Sequence, residues 1–150
     1  MKKFVGISLL LATLPILLMV APVQANCVPP GPTSLCVWKE ITCISICGST
    51  VTVQGYIHVQ NDYINTAYLL GITDMVEAKY KGSIPWTQLG IVNVDMGDGM
   101  IAPGAQESYW FSISFTKGVW TAYRNVVTVL LENHPDGEHA FIYRLSFEVP

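Results

Sequence analysis

The sequence predicts an all-β protein built as a single antiparallel two-sheet sandwich. Three observations predict it. Apolar residues recur with a period of two through most of the chain after residue 48, which is the strand signal. Turn-forming clusters punctuate these runs at 60 (QND), 80 (YKGS), 95 (DMGDGM), 102 (APGA), 116 (TKG) and 134 (HPDG). No amphipathic helix of several turns interrupts them, and about seven to nine short strands in a chain this long fit two packed sheets better than an evenly spaced barrel.

The elements follow in order. Residues 1–25 read as a signal peptide. Lys2 and Lys3 precede an apolar run from Phe4 to Val20, and Val23-Gln24-Ala25 supplies small residues at a cleavage position. Pro15 and that exit favour cleavage over retention as an anchor, although the run approaches spanning length. Cys27 follows Asn26 rather than the small residue a lipidation site requires. No later run is long enough to span a membrane, so the mature protein is expected to be secreted or extracytoplasmic, either free or held at the cell surface.

Of the 150 residues, 125 remain after the signal, enough for one domain with a core. Losing Lys2 and Lys3 takes the formal charge from −3 to −5. That argues against nucleic acid and an anionic membrane surface as partners, since both demand a basic patch.

Residues 26–48 form a Cys/Pro-rich N-terminal segment. Its opening, NCVPPGPTS, is irregular, and a short helix is possible in SLCVWKEIT. It holds all four cysteines, Cys27, Cys36, Cys43 and Cys47. An even count in an exported chain points to disulfides, and the paired spacing of a zinc site is missing. In an extended chain Cys43 and Cys47 lie about 13 Å apart, beyond the roughly 7 Å a disulfide spans. Each is then expected to bond Cys27 or Cys36, whereas a helical turn would reopen the Cys43–Cys47 pair.

Residues 49–150 are the sandwich. TVTVQGYIHVQN turns Val51, Val53, Ile57 and Val59 inward, and SYWFSISFT turns Tyr109, Phe111, Ile113 and Phe115 inward. HAFIYRLSFEV does the same with Phe141, Tyr143, Leu145, Phe147 and Val149. TAYLLGITDMVEAKY holds one or two strands, SIPWTQLGIVNV a short one, and AYRNVVTVLLEN a strand apolar on both faces.

The runs STVTVQGYIHVQNDYINTAYLLGITDMVEA, MIAPGAQESYWFSISFT and RNVVTVLLEN resemble the immunoglobulin-like repeat modules of bacterial and archaeal surface proteins. The matching positions are Asn61, Thr73-Asp74, Pro103-Gly104 and Asn125, over roughly residues 49 to 132. The resemblance implies an immunoglobulin-like sandwich with a structural, adhesive or assembly role, no catalytic residues and no cofactor. The chain departs from it in having one module and a cysteine-bearing N-terminal segment.

Candidate sites are few. In NHPDGEH, Pro135 and Asp136 suit a type I turn and Gly137 the left-handed residue of a glycine bulge. That loop pairs His134 with Glu138, Leu131 with Phe141, Val129 with Tyr143 and Val127 with Leu145. It places His134 and His139 on opposite faces, so no two-histidine metal clamp is expected. VDMGDGM lacks the alternate acids and distal Glu of a calcium loop and reads as a tight exposed turn. A blue-copper site is not expected, because every cysteine precedes every histidine and no Cys-x-x-His appears. No Gly-x-Ser-x-Gly elbow is present, so no enzyme is expected. Trp110 projects from a serine-rich face and, with Trp86 and Trp120 beside turns, is a candidate ligand-binding tryptophan. A covering loop or N-terminal segment is the plainer fate of Trp110.

The functional expectation is a non-catalytic, exported module at the cell surface whose partners are other surface proteins or copies of itself. Alternatives are a carbohydrate-binding module using exposed tryptophans, or a filament subunit assembled by adding the C-terminal strand YRLSFEVP to a neighbour.

Overall fold

The computed structural model describes residues 26–27, 35–134 and 137–150. The signal segment at 1–25 and the irregular stretch at 28–34 lie outside the described residues. Among the described residues nine strands occur: β1 Asn26–Cys27, β2 Leu35–Cys47, β3 Thr50–Asn61, β4 Ala67–Lys79, β5 Thr87–Asn93, β6 Met100–Ile101, β7 Gln106–Thr116, β8 Ala122–His134 and β9 Gly137–Phe147. They make two antiparallel sheets, β1-β2-β3-β7 and β5-β4-β8-β9, with β6 paired to the start of β4. The sheets face each other without closing into a barrel. Among the described residues no helix is long and apolar enough to cross a membrane.

The core fills the space between the sheets, and its members are the alternate residues that periodicity selects. Val51, Val53, Ile57 and Val59 of β3 meet Phe111, Ile113 and Phe115 of β7 on one sheet. Ile72 and Val76 of β4, Val127 and Val129 of β8, and Tyr143 and Leu145 of β9 supply the other. The uncertain run from Thr66 to Tyr80 is one strand, kinked by a bulge between Leu69 and Gly71. That extra residue changes which parity faces inward, so Ile72, Asp74, Val76 and Ala78 are buried while Leu70 is exposed.

The structure corrects the N-terminal segment. SLCVWKEIT is strand from Leu35 onward, not helix. Leu35, Val37, Lys39 and Ile41 alternate, and β3 supplies the ladder they need. Residues 35–47 therefore belong to the sandwich rather than to an appendage, and Leu35, Val37, Ile41 and Ile44 sit in its core. Gly48, at φ 60°, opens the two-residue loop into β3, as a hairpin with Gly in first place requires. A bulge between Ile41 and Cys43 turns Ile44 inward, with the Thr42 hydroxyl bonded to the Gln54 carbonyl at 3.3 Å.

The cysteine expectation is corrected as well. β2 is extended, so Cys43 and Cys47 do not bond each other, but they do not reach Cys27 or Cys36 either: both are free thiols. They lie toward the far end of β2 from Cys36, whose register partner is Cys27.

The last hairpin is shifted by two residues from the expected pairing. Leu131 stands opposite His139, Val129 opposite Phe141, Val127 opposite Tyr143, and His134 opposite Gly137. Gly137 does take a positive φ, 96°. An extra residue between Leu131 and His134 then carries His134 to the face of His139. The two rings are stacked with centroids 4.3 Å apart and planes 18° from parallel, against the expectation that they face apart.

Candidate functional site

Besides Asn61 at the end of β3, three inward positions hold polar side chains where the alternation calls for apolar ones. Lys39 lies between Val37 and Ile41 on β2, Asp74 between Ile72 and Val76 on β4, and Asn125 between Tyr123 and Val127 on β8. The strands bring all three to one place in the core. Lys39 is 1% exposed, and Asp74 and Asn125 are fully enclosed. The Lys39 Nζ donates to Asp74 Oδ2 at 2.7 Å, joining the two sheets. The Asn125 Nδ2 donates to the same carboxylate, at 3.2 Å to Oδ1 and 3.5 Å to Oδ2, and lies 3.4 Å from the Met75 carbonyl. Asp74 opposes Val127 and Val76 opposes Asn125, so Asp74 and Asn125 are diagonal neighbours on the inner face.

The surroundings are dry. The Phe111 ring lies under Lys39 Nζ, 3.6 Å from its centroid, a contact that favours the ammonium form as Asp74 does. Burial dominates over it and pulls the Lys39 amine down to about 8, although Asp74 opposes the shift. Burial likewise pushes the Asp74 carboxyl up, against the pull of Lys39 and Asn125. Both shifts favour moving the shared proton from nitrogen to oxygen, giving a neutral amine beside a neutral acid. Among the described residues the Asn125 carbonyl oxygen, Oδ1, is buried with no hydrogen-bond partner, as is the Tyr143 hydroxyl. A lysine, a carboxyl group and a carboxamide whose oxygen is unengaged thus meet in the buried core.

The sequence-predicted residues are scattered instead. Trp110 is 48% exposed on the outer face of the first sheet. It stands at the end of an aromatic row: Trp110 meets Tyr56 edge-on at 5.2 Å, Tyr56 leads to His58 at 6.2 Å, and His58 stacks on Trp38 at 5.0 Å. Trp86 lies just before β5 of the other sheet, where Arg124 and Lys79 lie over its ring at 4.0 and 4.8 Å. Arg124 is itself held by Glu77 at 2.6 Å, so Trp86 is occupied by its own chain. Trp120 packs on Tyr80 at 4.6 Å and against the core.

The DMGDGM stretch is the tight exposed turn expected. Asp95 and Asp98 accept from the backbone N–H groups of Gly97 and Met100, each at 3.0 Å, and Gly97 and Gly99 take positive φ. Asn61 is a buried clamp: it donates to the carbonyls of Asn65 and Ile101 and accepts from the Tyr63 N–H. Among the described residues no group of three or more His, Cys, Asp or Glu is arranged to hold a metal. The stacked His134 and His139 do not make a clamp on their own. Imidazole lone pairs lie in the ring planes, and those of near-parallel rings do not converge on one ion.

The fold and this cluster define an all-β chain whose two sheets are tied through the core by a buried lysine–aspartate–asparagine set. No protein-family model matches the chain, and no curated protein matches it. Among solved structures it is similar to Spo0M, a sporulation control protein from Bacillus subtilis, with a TM-score of 0.47 and 16% identity. The match covers 66% of this chain and 43% of that one, so the chain spans less than half of that neighbour. A likeness at this level bears on neither family nor activity.

Proposed function

We propose that the chain is an exported immunoglobulin-like module with a structural or interaction role at the cell surface, turning over no external substrate. The strand order carries this reading. β2-β3-β7 faces β5-β4-β8-β9, with the chain crossing between sheets after β3, before β7 and after β7, an arrangement in keeping with Greek-key sandwiches of the immunoglobulin type. Cell fractionation of the native host, with a membrane-impermeant label on intact cells, tests it. Labelled protein lacking residues 1–25 is the expected result, and unlabelled cytosolic protein with an intact N-terminus contradicts it. An oxidising compartment would also join Cys27 to the cysteine opposite it, Cys36, leaving Cys43 and Cys47 as thiols.

The aromatic row on β7, β3 and β2 favours a second reading, glycan binding by stacking on Trp110. Tryptophan fluorescence during glycan titration decides it, with Trp110→Ala as control. No shift across a broad panel rejects this reading. Assembly by strand addition is supported by the edge position of β9, and a strict monomer at high concentration in size-exclusion chromatography rejects that.

A further inference from the structure

We propose that Lys39, Asp74 and Asn125 are a self-modification site, at which the Lys39 amine displaces ammonia from the Asn125 carboxamide and joins β2 to β8 by an intramolecular amide bond. The inference stands on the core geometry and is independent of where the protein resides. Lys39 Nζ and Asn125 Nδ2 both lie within hydrogen-bond distance of one carboxylate, so a single acid reaches the attacking and the leaving nitrogen. The Asn125 Oδ1, buried and unpartnered, shows that the carbonyl side of the amide is not committed to holding the fold.

The step balances within the three side chains. Proton transfer from the Lys39 ammonium to Asp74 leaves an amine lone pair and a neutral carboxylic acid, and burial favours both products. Nζ attacks Cγ of Asn125, forming the new C–N bond and pushing an electron pair onto Oδ1. Asp74 holds that oxygen's developing charge by hydrogen bonding, accepts the proton Nζ sheds and delivers a proton to Nδ2. The electron pair on Oδ1 reforms the carbonyl as the Cγ–Nδ2 bond breaks, and ammonia leaves. Nothing is oxidised or reduced, and no co-reactant enters. The low water content that makes the ion pair costly also protects the intermediate from hydrolysis, and the fixed geometry supplies the high effective concentration that amide exchange lacks in solution.

Asp74 itself is the competing electrophile, since it is nearer to Nζ. Condensation with it would expel water instead of ammonia and would consume the acid that carries the protons. The mass change therefore separates the two.

The test is intact mass spectrometry of the purified full chain, fully reduced and denatured. A mass lower by one ammonia than the sequence requires is expected, with Asp74→Asn and Asn125→Ala at full mass. Asn125→Asp should restore the link with loss of water. Circular dichroism identifies which variants fold. The wild-type result stands without them: folded wild-type protein at full mass after prolonged incubation near pH 8 overturns the proposal. So does loss of water from the wild type, or a mass gain from simple hydrolysis of Asn125.

Discussion

Lys39 occupies a position that its strand reserves for an apolar side chain, and the consequences of changing it follow from what remains. Lys39→Ala strands the Asp74 carboxylate in the core without its counter-charge. Made in Asn125→Ala, where Lys39 stays an unlinked amine, the change should show a loss of about 3–5 kcal/mol in urea denaturation, the usual cost of breaking a buried pair by halves. The double replacement Lys39→Met with Asp74→Leu should be more stable than either Lys39→Ala or Asp74→Ala, because no lone charge is left behind. A double variant weaker than both would contradict that. The pH response has a fixed sign wherever Lys39 remains an amine, as in Asn125→Ala. Its folded value of about 8 lies below the unfolded 10.5, so the unfolded chain binds more protons between them. Stability should rise with pH from about 8 towards 10 relative to the same variant carrying Lys39→Met. Above 10 the difference should level off, because the unfolded lysine then loses its own proton.

Strand pairing sets what was legible in the sequence and what was not. Inward and outward faces of β3, β7 and β9 were readable because alternation in these runs is unbroken. The three polar residues of the core were not readable in that way, as Lys39 falls in a stretch expected to be irregular or helical and Asn125 in a run apolar on both faces. Their meeting was not visible, because the bulge at Leu70 fixes Asp74's face only in the folded sheet. The β8–β9 register failed for a related reason. A shift by two residues keeps every inward residue opposite another, so hydrophobic pattern alone cannot choose between registers. The observed one adds Asn125–Leu145 and Tyr123–Phe147 to the ladder and absorbs the spare residue beside His134. Two predictions belong here. A methyl group at Gly55 would lie 1.9 Å from the Glu40 carbonyl oxygen beside the β2 bulge, so Gly55→Ala should cost about 3 kcal/mol or more in urea denaturation. A loss under about 1 kcal/mol would mean that β2 sits farther from β3. Stoichiometric zinc should leave the imidazole NMR signals of His134 and His139 in place, and slow-exchange shifts of both would show that the rings can turn to chelate.

For the molecule as a whole, the buried set connects the first long strand to the penultimate one. A covalent Lys39–Asn125 link would let load entering at β2 pass to β8 without unzipping the strands between, which suits a module exposed to force. The thiols report the rest of the covalent frame. Denatured, unreduced protein from an oxidising compartment should titrate two thiols, Cys43 and Cys47, and four after reduction; none or four before reduction would contradict the register-based pairing. The central claim concerns one bond, and tandem mass spectrometry of a protease digest addresses it most directly. The account predicts a branched peptide in which the Lys39 side chain is joined to the Asn125 side chain with loss of ammonia. Recovery of the two linear peptides alone, with free Lys39 and intact Asn125, would contradict it.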